Sequence, residues 1–227
     1  MKLKLIYFGA SGKGESIRLA LKYAGLEFED YKFESMEEFA ELKASGKLAF
    51  GQVPALEVIE ESEKYLLTQS GSILRFIARL APESELMPKC KIQAARVDAL
   101  IDQQTDCLQP AFAISYRDKW GFDGLDDEMA QSCKQKIASE IVPKNLDLIE
   151  KMIQHGGTTW IAGTDKPSIA DFHWAGVLPA IEKGAWTGDD KIFCAKRYPG
   201  LHKMVKAVFE LPSVVEWYKT NEYKLWF

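Results

Sequence analysis

The residues best suited to chemistry stand in a few short strings. In Gln52-Val53-Pro54-Ala55-Leu56 a proline directly precedes an apolar run, where it removes a ladder donor and restricts Val53 to extended geometry. A cis Val53–Pro54 bond is one good reason for such a proline. It would turn the valine N–H and C=O outward, free to pair with an extended peptide ligand. A trans proline opening an edge strand is the plainer alternative, and the dipeptide alone leaves both open. Gln69-Ser70 stands just before helical spacing, so the unpaired N–H groups and positive end of a helix, with the Ser70 hydroxyl, suit a carboxylate. A simple N-cap is the commoner use of serine there. Asp98, Asp102 and Asp106 recur every four residues and share one helix face, a row that is ordinarily just solvated. Ser168 to Asp171 has the spacing of a capping box with aspartate at N3, a folding signal to which we assign no catalysis.

Composition excludes several other chemistries. The cysteines, Cys90, Cys107, Cys133 and Cys194, show no CxxC, and His155, His173 and His202 show no HxxxH or HExxH, so no metal site is expected. With 29 Lys and Arg against 33 Asp and Glu, the net charge is −4, and no basic block offers a nucleic-acid surface. No segment approaches the ~18–20 apolar residues of a membrane span, and the charged start MKLKLIYFGASGKGE is no leader, so no membrane partner and a cytoplasmic location are expected.

The elements that must position these strings follow from hydrophobic spacing. Residues 3–8 read as a buried strand ending near Tyr7, and Gly9 to Gly14 as a loop. A helix carrying Ile17, Ala20, Leu21 and Ala24 then stops at Gly25. Phe28 to Phe33 reads as a strand, Ser35 with Glu38 as a capping box opening a helix to about Lys43, and 55–59 and 64–67 as two strands before the helix of Ile73, Leu74 and Ile77. The first 80 residues thus spell β-α-β-α-β-β-α. Ala81 to Pro88 reads as a linker, and 89–227 as all-helical, with helices expected over 89–119, 126–154, 168–182, 201–210 and 213–219. A small α/β domain on an all-α one is the architecture this pattern favours.

Tyr7-Phe8 with Lys13-Gly14-Glu15 and Arg18, Gln52-Val53-Pro54, Gln69-Ser70 and Ser168-Ile169-Ala170-Asp171-Phe172 fall in the order of a cytosolic glutathione transferase, and the chain resembles that family over nearly its whole length. It looks most like the tyrosine-type branch, particularly the sigma class. The resemblance implies a thioredoxin-like first domain with the cis-proline, an all-helical second domain, glutathione as co-substrate and a homodimer. The implied reaction adds the thiolate of glutathione to small hydrophobic electrophiles.

Under that resemblance Tyr7 donates its hydroxyl to the glutathione sulfur. An unperturbed cysteine thiol, with pKa about 8.5, is only a few per cent ionised at neutral pH, so the site must favour the anion. Ser11 is second choice, because other branches use a serine in this loop, and a disulfide reductase is disfavoured because the first 80 residues contain no cysteine. The implied glutathione contacts are Phe39 and Lys43, with Lys47 as the alternative lysine, then Gln52, Val53 and Pro54, Gln69 and Ser70 for the γ-glutamyl carboxylate, and Asp106 across the dimer. Phe39 lacks the indole N–H of the family's tryptophan, and Lys13 stands where the sigma class usually has an arginine. The second substrate is expected between Phe8, Lys13, Ile114, Tyr116, Trp120 and Phe227, in an apolar, partly open pocket. Ordinary helix core is the other reading of these aromatics. The rival functions are a non-catalytic family member and a sigma-class prostaglandin isomerase. Residues 184–194 form a polar insertion whose purpose is not readable.

Overall fold

The computed structural model describes residues 1–220, so the expected contact Phe227, with Leu225 and Trp226, lies outside the described residues. The first part runs β1 (Lys2–Tyr7), α1 (Lys13–Tyr23), β2 (Glu29–Lys32), α2 (Met36–Ala44), β3 (Ala55–Glu60), β4 (Glu63–Thr68) and α3 (Ser70–Leu80), the order expected. The strands form one mixed sheet in the order β2-β1-β3-β4, with β1 parallel to β2 and antiparallel to β3. Alternation along β1 divides its side chains between two cores. Leu3 and Leu5 enter the main core with Ile17, Leu21 and Ile73 of α1 and α3, while Ile6 joins a smaller cluster with Leu48, Ala55 and Phe39 on the α2 side.

The second part is helical: α4 (Lys91–Ser115), α5 (Asp127–Lys136), α6 (Val142–Gly156), α7 (Ile169–Ala175), α8 (Leu178–Glu182), α9 (Pro199–Phe209) and α10 (Pro212–Thr220). Three of the expected helices are broken. The 89–119 helix leaves α geometry after Ser115 and ends in a 3₁₀ turn over Arg117–Trp120. The 126–154 helix passes through one π turn, Ile137–Ile141, before Pro143, which has no N–H to continue the i→i−4 ladder. The 168–182 helix breaks after Ala175, where Gly176 admits α1: a Cβ there would stand 2.8 Å from the Ser16 nitrogen.

Buried hydrogen bonds tie the helices together. Trp174 Nε1 donates to the Leu100 carbonyl (2.8 Å) and Gln104 Nε2 to the His173 carbonyl (2.7 Å), joining α4 to α7. Glu150 accepts from the N–H groups of Gly200 (2.8 Å) and Leu201 (2.9 Å), satisfying the start of α9 from α6. His173 is buried with Nδ1 unpartnered, and burial, helped by the charges of Lys13 and Arg75, pushes its imidazole down to about 3. An unfolded histidine binds its proton near pH 6.5, so this group favours the fold above that pH and the contribution is lost progressively towards pH 3. The ring resonances of His173 are therefore expected to stay at their neutral positions in an NMR titration from pH 8 to pH 5. A protonation step near pH 6.5 in the folded protein would overturn the assignment. Among the described residues no helix is long and apolar enough to cross a membrane, and no group of three or more His, Cys, Asp or Glu is gathered to hold a metal.

Candidate active site

Tyr7 closes β1 and follows Leu3 and Leu5 to the face covered by α1. Its ring lies so close to the start of α1 that a Cβ on Gly14 would stand 2.2 Å from Tyr7 Cδ1, which is why a glycine sits at that position. Gly12, at φ 99°, brings the loop round to the phenol, and a Cβ there would stand 3.4 Å from the Tyr7 oxygen. The backbone of Lys13 and Gly14, at the positive end of α1, favours the charged form of that oxygen. Burial nevertheless outweighs them and the Arg18 charge, and pushes the phenol up to about 12. At neutral pH the group is a protonated hydroxyl, able to donate and unable to serve as a base.

Phe8, one residue on, turns to the opposite side. Its ring packs against Phe33 and Phe39, each with centroids 5.3 Å away, and Phe33 and Phe39 are themselves 5.5 Å apart. Phe39 thus anchors α2 on the sheet. Ser11 is 6% exposed within the loop.

The loop between Phe8 and Gly14 is held by Arg18, a residue that sequence reading quoted and gave no role. Its fully buried guanidinium donates to the carbonyls of Ala10 (2.7 Å) and Phe8 (2.8 Å) and to the carboxylates of Asp30 (3.0 Å) and Glu15 (3.1 Å). It also stands 5.7 Å from the centre of the Tyr7 ring. Glu15 accepts in turn from the Tyr218 hydroxyl of α10, and its burial raises the carboxyl above the usual range. The only local signal for this cluster was a Glu-Arg pair at i, i+3 on α1. Nothing local pointed to Tyr218.

The Val53–Pro54 bond is cis, with Pro54 buried, Val53 half-buried and Gln52 exposed. The Lys43 side chain runs beside the loop leading there, 3.5 Å from where a Cβ on Gly51 would stand, and Lys47 is exposed. Gln69 adopts φ 69°, rare for a side chain of its kind, and its carbonyl accepts from Ile73 N–H (3.0 Å). Gln69 is therefore the N-cap, and Ser70, expected to precede the helix, is its first residue.

The aspartate row is divided. Arg75 of α3 binds Asp98 (2.6 Å) and Asp102 (3.1 Å), so two of the three tie the sheet-bearing part to α4 and are not simply solvated. Asp106 is exposed, and Pro110, four residues on, has no N–H for its carbonyl.

The expected second-substrate residues are partly gathered. Ile114 and Tyr116 line a cavity of about 690 Å³ between the end of α4 and α5, and Tyr116 acts electrostatically on Tyr7. The rest of its wall includes Arg117, Asp118, Lys119, Asp127 and Lys134, so the expected apolar lining is not what forms. The 3₁₀ turn places consecutive charged residues there. Trp120 is exposed outside that wall, and Lys13 reaches α4 with its amine 4.6 Å above the Phe112 ring. In the 184–194 insertion Trp186, at φ 64°, packs edge-on against Phe112 (5.0 Å), and its carbonyl accepts from the Ser115 hydroxyl (3.1 Å).

Residues 3–79 match the family model for the glutathione S-transferase N-terminal domain, and residues 119–221 that for the C-terminal domain. The chain is 32% identical over 221 residues to "Glutathione S-transferase 1" of Ascaris suum, covering 94% of each protein. It is 27% identical over 216 residues to "Hematopoietic prostaglandin D synthase" of Gallus gallus, covering 94% of each. The structure of a prostaglandin synthase D of Nilaparvata lugens superposes with a TM-score of 0.76 at 25% identity, covering 98% of this chain and 99% of that one. A mixed four-stranded sheet carrying a cis-proline, an all-helical second part and these likenesses along nearly the full length place the chain in the glutathione S-transferase family.

Proposed function

We propose that this transferase is of the tyrosine type, most like the sigma class, and that the Tyr7 hydroxyl donates to the glutathione sulfur so that the thiolate attacks a hydrophobic electrophile. The observation that carries the reading is the placement of Tyr7: a protonated phenol at the start of α1, its ring fixed by Gly14 and its loop by Arg18. A hydrogen bond to an ion contributes about 1.5–3 kcal/mol, which lowers a thiol pKa by about one to two units. That moves a group of pKa about 8.5 to about 6.5–7.5, from a few per cent ionised to roughly a quarter to three quarters ionised at pH 7. The thiol proton leaves to water, the sulfur forms its bond to the electrophilic carbon as that carbon's bond to its leaving group (or the π bond of an activated alkene) breaks and takes the electron pair, and the phenol keeps its own proton throughout. Gln52, Val53 and Pro54, with Lys43 beside their loop, hold the cysteinyl and glycyl parts of glutathione. Gln69 and Ser70 hold the γ-glutamyl carboxylate at the start of α3. Asp106 reaches the tripeptide's amino group from a second copy of the chain in a homodimer. A sigma-type prostaglandin isomerase is the second reading, favoured by the relatives whose names carry that activity.

The test is a titration of the ultraviolet thiolate band of bound glutathione in the wild type and in Tyr7→Phe. We expect a thiol pKa one to two units below its free value, returning towards it in the variant. A depressed pKa indifferent to Tyr7 would transfer the role to Ser11, and no binding would leave a non-catalytic family member.

A further inference from the structure

The start of α1 is held from two directions, and one of them is the last helix, α10. From within, the Arg18 guanidinium ties the carbonyls of Phe8 and Ala10, which bracket the turn just after Tyr7, to Glu15 and Asp30. From outside, the half-buried Tyr218 donates its hydroxyl to Glu15 Oε1, while Arg18 Nη1 donates to Glu15 Oε2 (3.1 Å). Glu15 is 1% exposed, so each carboxylate oxygen depends on a protein donor in place of water.

The hydroxyl is not what docks α10. Val214 is fully buried, and the Tyr218 ring packs against Phe209 with centroids 5.8 Å apart. At the far end of α1, Trp217 lies against Phe28 (5.4 Å) and under the Lys22 amine (4.6 Å). Apolar area and ring contacts seat the helix, and the Tyr218 ring alone would serve them. What the hydroxyl adds is a donor to a carboxylate that shares Arg18 Nη1 with the Ala10 carbonyl (2.7 Å). Without that donor the uncovered oxygen competes for the same nitrogen, and the hold on Ala10 weakens. The Ala10 N–H in turn donates to the Phe8 carbonyl (2.8 Å), one residue from Tyr7.

We propose that Tyr218 is a positioning residue of this transferase: acting through Glu15 and Arg18, it fixes the loop around the Tyr7 phenol and so sets how fully the glutathione thiol ionises. The inference rests on the reading of Tyr7 as the donor to the sulfur. It makes the helical part of the chain a participant in activating the thiol, through a bond between residues 203 positions apart.

Tyr218→Phe in the full chain removes the oxygen and keeps the ring. The thiol pKa of bound glutathione, read from its ultraviolet thiolate band, is expected to rise by about half a unit, a fraction of the shift of about one to two units that Tyr7 supplies. At saturating glutathione, kcat/KM for 1-chloro-2,4-dinitrobenzene should fall about threefold at pH 6 and match the wild type at pH 9, where the thiol is ionised in both. Amide hydrogen exchange at residues 9–14 should quicken in the same variant. Asp171→Asn, which weakens the fold at the capping box of α7, controls for general loosening and should leave the thiol pKa in place. Suppose the wild type shows a depressed thiol pKa that Tyr7→Phe abolishes. An unchanged value in Tyr218→Phe, or an equal shift in Asp171→Asn, then overturns the proposal and leaves the reading of Tyr7 standing. A free thiol pKa in the wild type overturns the reading of Tyr7 instead, and the exchange rates decide what remains. Unchanged rates in Tyr218→Phe overturn the hold on the loop as well, whereas quickened rates keep the link from α10 to that loop.

Discussion

Replacing Arg18 by methionine is expected to destabilise the protein by about 3–5 kcal/mol, the range for breaking a buried ion pair by removing one partner. The reason lies in what is left behind. Glu15 and Asp30 side chains are only 2% and 7% exposed, and the carbonyls of Phe8 and Ala10 lose guanidinium donors in a place with little access to water. For a chain of this size that corresponds to a fall in Tm of roughly 6–20 °C. Arg18→Lys should recover only part of it, since one ammonium has no planar fork with which to serve two carbonyls and two carboxylates together. Because the same contacts hold the loop that brings Lys13 and Gly14 to the Tyr7 oxygen, the thiol pKa of bound glutathione should also rise in whatever fraction stays folded. Thermal unfolding with the thiolate titration checks both. A loss below about 1 kcal/mol would remove the keystone role assigned to Arg18.

The second large effect concerns folding without chemistry. The buried Asp171 carboxylate accepts from the N–H of Ile161, the N–H of Ser168 and the Ser168 hydroxyl, all at 2.8 Å. Asp171→Ala strands two backbone donors that have no other partner in these bonds, at about 1–3 kcal/mol each, and frees the segment joining α6 to α7. A loss of about 3–5 kcal/mol is expected in denaturant unfolding. Asp171→Asn, which keeps one acceptor oxygen and the shape, should recover part of it. The thiol pKa of bound glutathione should match the wild type in the folded fraction of either variant. A shifted thiol pKa in folded Asp171→Asn would mean that this capping box reaches the chemistry after all.

Local rules were sufficient wherever a single element decided its own fate. Period-2 and period-3.6 spacing located all seven elements of the first part; the Ser168–Asp171 capping box is made in full, while at Ser35 only half is made, Glu38 N–H donating to Ser35 Oγ (3.2 Å) and the Glu38 carboxylate accepting from Glu34 N–H (2.9 Å) in place of Ser35 N–H. Contacts between distant elements were not legible. The break after Ala175 answers to Ser16, the Lys13 amine rests on Phe112, and the Trp186 of an unreadable insertion supports that ring. The cavity's charge was missed for a related reason. Ile114 and Tyr116 were judged by residue type, whereas the change to a 3₁₀ turn after Ser115 decides which neighbours share their wall. Similarly, the aspartate row could be placed on one helix face from its spacing, yet only the fold supplies Arg75 to two of its members.

The bond from Tyr218 to Glu15 spans nearly the whole chain. During synthesis the sheet and α1 leave the ribosome long before α10 does, so Glu15 first meets Arg18 without the hydroxyl that will later join them. A nascent chain stalled short of residue 218 would hold a buried carboxylate with one partner fewer and a loop less firmly set around Tyr7. Maturation of the loop around Tyr7 is then a late event of translation, and a ribosome-bound chain lengthened stepwise past residue 218 should gain protease resistance at residues 8–14 when α10 emerges.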